Sequence, residues 1–249
     1  MVKGKKIVII MPAHNAELTL KRTFDALPKG IIDEIILTDD ASTDNTVSIA
    51  KELGFKIFMH KTNLGYGANQ KTCYREALKA GADIIIMLHP DYQYDPRVIP
   101  FAVGFIITEI CDIIIGSRIR TRKETLDGGM PLYKYISNRF LTAFENFILG
   151  QNLGDFHSGF RVYKREVLEK VDFIKNSNGF IFDTEFLTQA VYFGFRIGDI
   201  PIPTRYFPEA SSIDFIRSVE YGIQNIWVMI KYVLQKTKFF HFKLFEPRK

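Results

Sequence analysis

The sequence predicts an α/β domain, a mostly parallel nucleotide-binding sheet flanked by helices, followed by an amphipathic helical extension. Three observations predict it. Short β-branched runs alternate with longer amphipathic segments through the first half, the rhythm of crossover units that cover a sheet on both faces. The runs IVII, IIIML and DIIIG are almost wholly apolar, as strands buried on both sides are. Each run is followed by an abruptly polar segment, and in an open parallel sheet ligands bind beyond the carboxyl ends of the strands.

Taken in order, the strands of the first half are Lys6 to Met11, Glu34 to Asp39, Lys56 to His60, Ile84 to Leu88 and Asp112 to Ser117. Between them fall helices at Glu17 to Leu27, Thr43 to Leu53, Ala68 to Ala80 and Arg97 to Thr108. From Arg118 a charged, Gly-rich loop (RIRTRKETLDGGMP) leads into a helix from about Pro131 to Leu149. Beyond it, Phe160 to Tyr163 and Arg196 to Ile200 read as strands, Phe182 to Tyr192 as a helix and Ile213 to Leu234 as a long amphipathic helix. The expected division is one domain over 1–212 with a membrane-associated extension over 213–249.

Composition agrees with one sizeable core, since 47% of the 249 residues are apolar and 24% charged. The 22 Phe and 11 Tyr, against one Trp, supply more flat apolar surface than such a core needs, which points to a lipid or sugar partner. Cys73 and Cys111 match no metal or redox spacing and suit a reducing compartment. The basic start Met1 to Lys6 precedes an apolar run too short for a signal-peptide core, and the longest uncharged stretches, Val98 to Thr108 and Tyr221 to Ile230, are too short to span a bilayer. The expectation is a cytoplasmic chain resting peripherally on the inner face of a membrane. The net charge of +5 is concentrated at the end, where Lys231, Lys236, Lys238, Lys243, Arg248 and Lys249 face only Glu246. Lysines mixed with Phe239, Phe240, Phe242 and Phe245 suit an interfacial anchor, with a helix packed on the domain or on a partner subunit as the alternative. A homo-oligomer stays open. No basic-aromatic module for nucleic acid appears elsewhere.

The chemistry-bearing residues follow the strands. There is neither a Gly-rich dinucleotide fingerprint nor a GxxxxGKS/T loop, which excludes a Rossmann dehydrogenase and a P-loop NTPase. Asp39 and Asp40 can instead accept hydrogen bonds from a base or ribose, while Ser42 and Asp44 suit a helix cap. Asp91, just past a buried strand, can hold Mg²⁺ or Mn²⁺ against a diphosphate, with Gln93 sharing the site, or can simply cap a turn.

Together the segments Met11-Pro12-Ala13-His14-Asn15-Ala16-Glu17, Asp39-Asp40-Ala41-Ser42-Thr43-Asp44, Asn63-Leu64-Gly65-Tyr66-Gly67-Ala68-Asn69-Gln70-Lys71, His89-Pro90-Asp91-Tyr92-Gln93, Gly116-Ser117-Arg118 and Ser158-Gly159-Phe160-Arg161 resemble glycosyltransferase family two. More narrowly they are similar to its branch of dolichol-phosphate mannose or glucose synthases. The resemblance spans most of the chain and implies a GT-A fold, a UDP- or GDP-sugar donor, a divalent ion and inversion. It places Pro12, Ala13, Glu17 and Asp39 in the nucleotide pocket, and joins Asn15, Asp40, Asn63, Gly65 and Lys71 to the donor site. Asp91 becomes the last acid of a DxD metal motif whose first acid is replaced by His89, either a third ligand beside Gln93 or a structural side chain.

The second half is expected to receive the acceptor. Transfer to a glycan hydroxyl needs a general base, for which Asp183 is the first candidate and Asp155 the second, with Glu185 as a further contact or a helix-dipole partner. Transfer to a polyprenyl phosphate needs no strong base, and then Arg118, Arg161 and Arg205 matter more as phosphate clamps. Ser211 and Ser212 either assist or begin the last helix. The expected product belongs to cell-surface polysaccharide or glycolipid synthesis. The alternative is a catalytically inactive nucleotide-sugar-binding or regulatory subunit, which the missing acid at position 89 would suit.

Overall fold

A computed structural model describes residues 1–206 and 215–248. Its centre is a seven-stranded sheet made of β1 (Ile7–Ala13), β2 (Glu34–Asp39), β3 (Lys56–Met59), β4 (Ile84–Met87), β5 (Ile113–Ser117), β6 (Arg161–Lys164) and β7 (Ile197–Pro201). The spatial order is β3-β2-β1-β4-β6-β5-β7, with β6 antiparallel to both neighbours and every other pairing parallel.

Helices cover both faces, as the alternation in sequence predicts. They are α1 (Leu20–Asp25), α2 (Thr46–Glu52), α3 (Tyr66–Lys79), α4 (Ile99–Ile107), α5 (Arg122–Asp127), α6 (Leu132–Leu149), α7 (Arg165–Lys170), α8 (Phe182–Tyr192) and α9 (Phe215–Lys236). Because side chains alternate along a strand, β1 feeds two cores. Ile7, Ile9 and Met11 pack with Leu20, Ile86 and Phe160 on one side, and Val8 and Ile10 with Tyr74, Met87 and Phe186 on the other.

Several elements differ from expectation. The first helix starts only at Leu20, because the Glu17 carboxylate is spent on Asn45 rather than on a helical turn. α3 starts two residues early, at Tyr66, directly after Gly65 with its positive φ of 97°. The charged loop contains α5, capped by the Thr121 hydroxyl accepting from the Glu124 N–H. The start of the last helix at Ile213, the boundary between 212 and 213, and Ser211 and Ser212 lie outside the described residues.

Residues 215–248 are held to the domain. Val228, Met229 and Tyr232 of α9, with Leu244 and Phe245 of the tail, belong to the same core as Phe186 and Tyr163. The opposite side of α9 stays bare: Ile223, Trp227 and Ile230 are exposed, as are Ile136, Phe140 and Phe147 of the adjoining α6. Among the described residues no helix is long and apolar enough to cross a membrane.

The reversed direction of β6 shapes one edge of the sheet. Strands β1, β2, β4 and β5 end at that edge, and β6, running the other way, begins there. The edge therefore gathers Ala13, Asp39, His89 to Gln93, Arg118 and the segment 158–161.

Candidate functional site

Asp39 closes β2 against Ala13, the last residue of β1. Its Oδ2 accepts from the Ser42 N–H at 3.1 Å, while Oδ1 is buried without a partner. A buried unpaired carboxylate oxygen is costly, so this atom marks a place where a donor from a ligand would be accepted. Around it, Asn15 and Glu17 tie two loops together. The Asn15 N–H donates to the Ser42 hydroxyl at 2.8 Å, its Oδ1 accepts from the Thr43 N–H at 2.9 Å, and Glu17 accepts from the Asn45 N–H at 2.9 Å. The Asn69 amide donates to the Ala13 carbonyl at 3.1 Å, fixing the edge beside Pro12.

Asp40 faces inward. Its carboxylate accepts from the Leu64 and Gly65 N–H groups at 2.9 and 3.0 Å and lies 2.7 Å from His60 Nδ1. It therefore holds the 63–65 turn, in which Asn63 Oδ1 accepts from the Gly65 N–H. Lys71, expected in the donor site, is held by the 176–178 loop. Its ammonium donates to the Asn176 carbonyl at 2.5 Å and to Asn178 Oδ1 at 2.7 Å, and burial lowers its pKa. This side of α3 is pressed against the 176–178 loop, and a Cβ on Gly67 would fall 2.4 Å from the Ser177 carbonyl oxygen.

Asp91 is buried after β4, and its Oδ1 accepts from the Gln93 N–H at 3.0 Å. Gln93 is buried beside it, and its carbonyl accepts from the Arg205 N–H at 3.0 Å. His89 is turned elsewhere. Its ring stacks on Tyr66 with centroids 5.6 Å apart, and Nε2 lies 3.3 Å from the Tyr66 hydroxyl. Gly159 leaves room for it, since a Cβ there would come within 2.6 Å of His89 Cδ2. Burial lowers the His89 pKa against the pull of Asp91 and Asp183, so the imidazole is neutral at pH 7. The third-ligand reading of His89 does not fit this packing. Among the described residues no three His, Cys, Asp or Glu side chains converge to hold a metal, so protein alone offers Asp91 and, with a neutral amide, Gln93.

The two candidate bases are each paired with an arginine. Asp183, at the start of α8, accepts from the Tyr66 hydroxyl at 2.7 Å through Oδ2. Its Oδ1 accepts from the Gln70 amide at 3.0 Å and pairs with Arg161 Nη1 at 2.5 Å. Arg161 is fully buried, wedged where β6 lies between Met87 of β4 and Ile115 of β5, so it is a counter-ion of Asp183 rather than a surface clamp. Asp155 is also fully buried. It accepts from Arg118 Nε at 2.7 Å, Arg118 Nη2 at 3.2 Å, the Asn138 amide at 2.8 Å and the His157 N–H at 2.9 Å. Burial alone would raise its pKa, but the Arg118 guanidinium outweighs this and holds it well below the usual carboxylate range. A carboxylate so stabilised in its charged form is a poor proton acceptor, which removes Asp155 as a base and makes it the anchor of Arg118.

Arg118 borders a cavity of about 510 Å³ lined also by Arg120, Lys123, Thr204 and Tyr206. Arg205 lies nearby, its guanidinium 4.9 Å from the Tyr92 ring centre, with Arg22 over the same ring at 4.2 Å. Glu185 accepts from the Ser177 N–H at 2.6 Å, and burial raises its pKa. It supports the 176–178 loop from below. Sequence reasoning missed Tyr66, Gln70, Asn138 and His157 as partners of the acids. The segment 63–71 signalled the neighbourhood of Tyr66 and Gln70 but not their pairing with Asp183, 117 and 113 residues away, and neither Asn138 nor His157, 17 and two residues from Asp155, carried a signal of its own.

Comparison with known proteins matches residues 8–172 to the family model described as glycosyl transferase family 2. A UDP-N-acetylglucosamine–dolichyl-phosphate N-acetylglucosaminyltransferase of Methanococcus voltae is 30% identical over 81% of this chain and 86% of its own length. A polyprenol monophosphomannose synthase of Mycolicibacterium smegmatis is 26% identical over 80% of this chain and 77% of its own. Glucosyl-3-phosphoglycerate synthase of Mycobacterium tuberculosis, solved with Mn²⁺, UDP-glucose and glycerol 3-phosphate, superposes with a TM-score of 0.69 at 20% identity, covering 92% of this chain and 80% of that one.

Proposed function

Because this chain belongs to glycosyltransferase family 2 and is a glycosyltransferase of the GT-A fold, we propose that it moves a sugar from a UDP- or GDP-sugar to a polyprenyl phosphate, with inversion. The observation that carries the donor half is the buried, unpartnered Oδ1 of Asp39 beside Pro12 and Ala13. Pro12, Ala13 and Asp39 contact the nucleoside, on a floor fixed by Asn15, Glu17 and Asp40. Asp91 suits a divalent ion that takes most of its remaining ligands from the substrate diphosphate and water, as Mg²⁺ usually does, with Gln93 at its side. Such an ion, Mg²⁺ or Mn²⁺, neutralises charge developing on the departing nucleoside diphosphate.

The acceptor half rests on the acids. Both oxygens of Asp183 are engaged, and Asp155 is locked to Arg118, so neither of the two candidate bases stands ready as a strong base. A phosphate acceptor requires none, being an anionic nucleophile already, whereas a glycan hydroxyl would. Arg118, at the edge of the 510 Å³ cavity, and Arg205 would receive it. The relatives from Methanococcus voltae and Mycolicibacterium smegmatis are named for polyprenol-type acceptors, which agrees with this choice.

The bare apolar plane of α6 and α9, with the exposed Lys236, Lys238, Lys243, Phe239 and Phe240 beside it, supports a peripheral seat on anionic lipid at the inner face of a membrane. The lipid-linked product would serve cell-surface polysaccharide or glycolipid synthesis. Asp39 and Asp91 in place at the strand ends speak against a catalytically inactive subunit.

The test is nucleoside diphosphate release from a panel of UDP- and GDP-sugars, with and without polyprenyl phosphate and with Mn²⁺ or EDTA. Release that needs the lipid and the metal supports the reading. Release that tracks a glycan hydroxyl and ignores the lipid defeats it.

A further inference from the structure

Five side chains outside the strand-end crevice close a buried ring. His157 Nε2 lies 3.1 Å from Glu145 Oε2, His157 Nδ1 lies 2.8 Å from the Tyr221 hydroxyl, and that hydroxyl lies 3.0 Å from Thr184 Oγ1. The Asn225 amide closes the ring, donating to Thr184 Oγ1 at 3.2 Å and to Glu145 Oε1 at 2.7 Å. Glu145, Thr184 and Asn225 are buried, and His157 is nearly so. The Asn225 amide donates twice, the Tyr221 hydroxyl bonds both His157 Nδ1 and Thr184 Oγ1, and His157 Nε2 meets Glu145 Oε2 as an ion-pair contact.

A buried polar network of this kind is weak evidence for stability, since apolar groups of the same shape would often serve as well. What it does supply is alignment, because the Tyr221 hydroxyl and the Asn225 amide each bridge two other elements at hydrogen-bond distance. The elements aligned are α6 through Glu145, the 150–160 loop through His157, α8 through Thr184, and α9 through Tyr221 and Asn225. Each of the two acid–arginine pairs is one short step away. The His157 N–H donates to Asp155, which holds Arg118, and Thr184 directly succeeds Asp183, which holds Arg161.

We propose that Tyr221 is a positioning residue for the acceptor site, joining α9 through His157 to the Asp155–Arg118 pair and through Thr184 to the Asp183–Arg161 pair. This rests on a polyprenyl phosphate being the acceptor. It gives the helix with the bare apolar face a defined mechanical link to the arginine that receives the acceptor. Tyr221 touches no reacting atom; it acts through His157 and Thr184.

Tyr221→Phe deletes the shared hydroxyl while keeping the ring that packs edge-on against His157. The expected result is an acceptor KM raised roughly five- to tenfold, the worth of about one hydrogen bond, with the donor KM unchanged. Thr184→Val should give the same split, and the double variant should be no worse than either single, because both break one ring. Unchanged acceptor KM in both variants overturns the proposal. So does an equal loss in donor and acceptor parameters accompanied by a lower Tm, which is what simple destabilisation produces. If wild type itself transfers nothing to polyprenyl phosphate, it is the functional reading that has failed, and vesicle-independent proteolysis of α9 in Tyr221→Phe then tests the link: unaltered protection also overturns it.

Discussion

Asp155→Asn removes one charge from the interior while keeping the shape of the side chain. The Arg118 guanidinium, only 14% exposed, would then face an amide in place of its counter-ion. Breaking a buried pair by neutralising one partner costs about 3–5 kcal/mol, because the other charge remains desolvated. For a chain of this size each kcal/mol moves Tm by about 2–4 °C, so a fall of roughly 10 °C is expected. The pH dependence has a definite sign. Asp155 has a depressed folded pKa, so its contribution is fully present above the unfolded value of about 4 and is lost as pH falls toward the folded value. Urea unfolding of wild type and variant should therefore show the full gap at pH 7 and a narrower one near pH 3. If Asp155 were instead the catalytic base, the variant would keep its stability and lose turnover by orders of magnitude. A variant that unfolds with wild type at pH 7 refutes the anchor role.

Further expectations concern other parts of the molecule. Asp39→Asn should weaken binding of UDP or GDP by roughly tenfold or more, the cost of a charged hydrogen bond, with little change in Tm; calorimetric titration measures this. Gly67→Ala should cost about 1–3 kcal/mol, since the new methyl meets a backbone carbonyl and Phe182 Cβ, and thermal melts would report it. Cys73 is buried and its thiol pushed up to about 12, so thiol titration of the native protein at pH 8 should leave it unmodified, with the half-buried Cys111 reacting first.

The parts of this fold legible in sequence are those with local causes. Wholly apolar runs such as IIIML announce buried strands, and the abrupt polarity after each marks the ligand edge. The charged segment that holds α5 reads as loop, and the cap of Thr121 on the Glu124 N–H emerges only in the structure. Reversal of β6 had no local signature, since a buried antiparallel strand of four residues carries no pattern that a parallel one lacks. The same limit applies to the site. The burial of Asp39 and Asp91 at the strand ends follows from their place after strands. The employment of Asp183, Asp155 and Lys71 was not legible, because it is decided by partners such as Gln70, 113 residues from Asp183, and Asn178, 107 residues from Lys71. An arginine like Arg161 looks like surface until β6 places it in the sheet beside an acid.

Sugar transfer to a lipid phosphate should depend on Asp91. The most direct measurement traces label from a radioactive UDP- or GDP-sugar into the organic phase in the presence of polyprenyl phosphate and Mn²⁺, for wild type and Asp91→Ala. Lipid-extractable label is expected with wild type and is lost in the variant. Label that stays aqueous with every donor, while the nucleotide still binds, would contradict it.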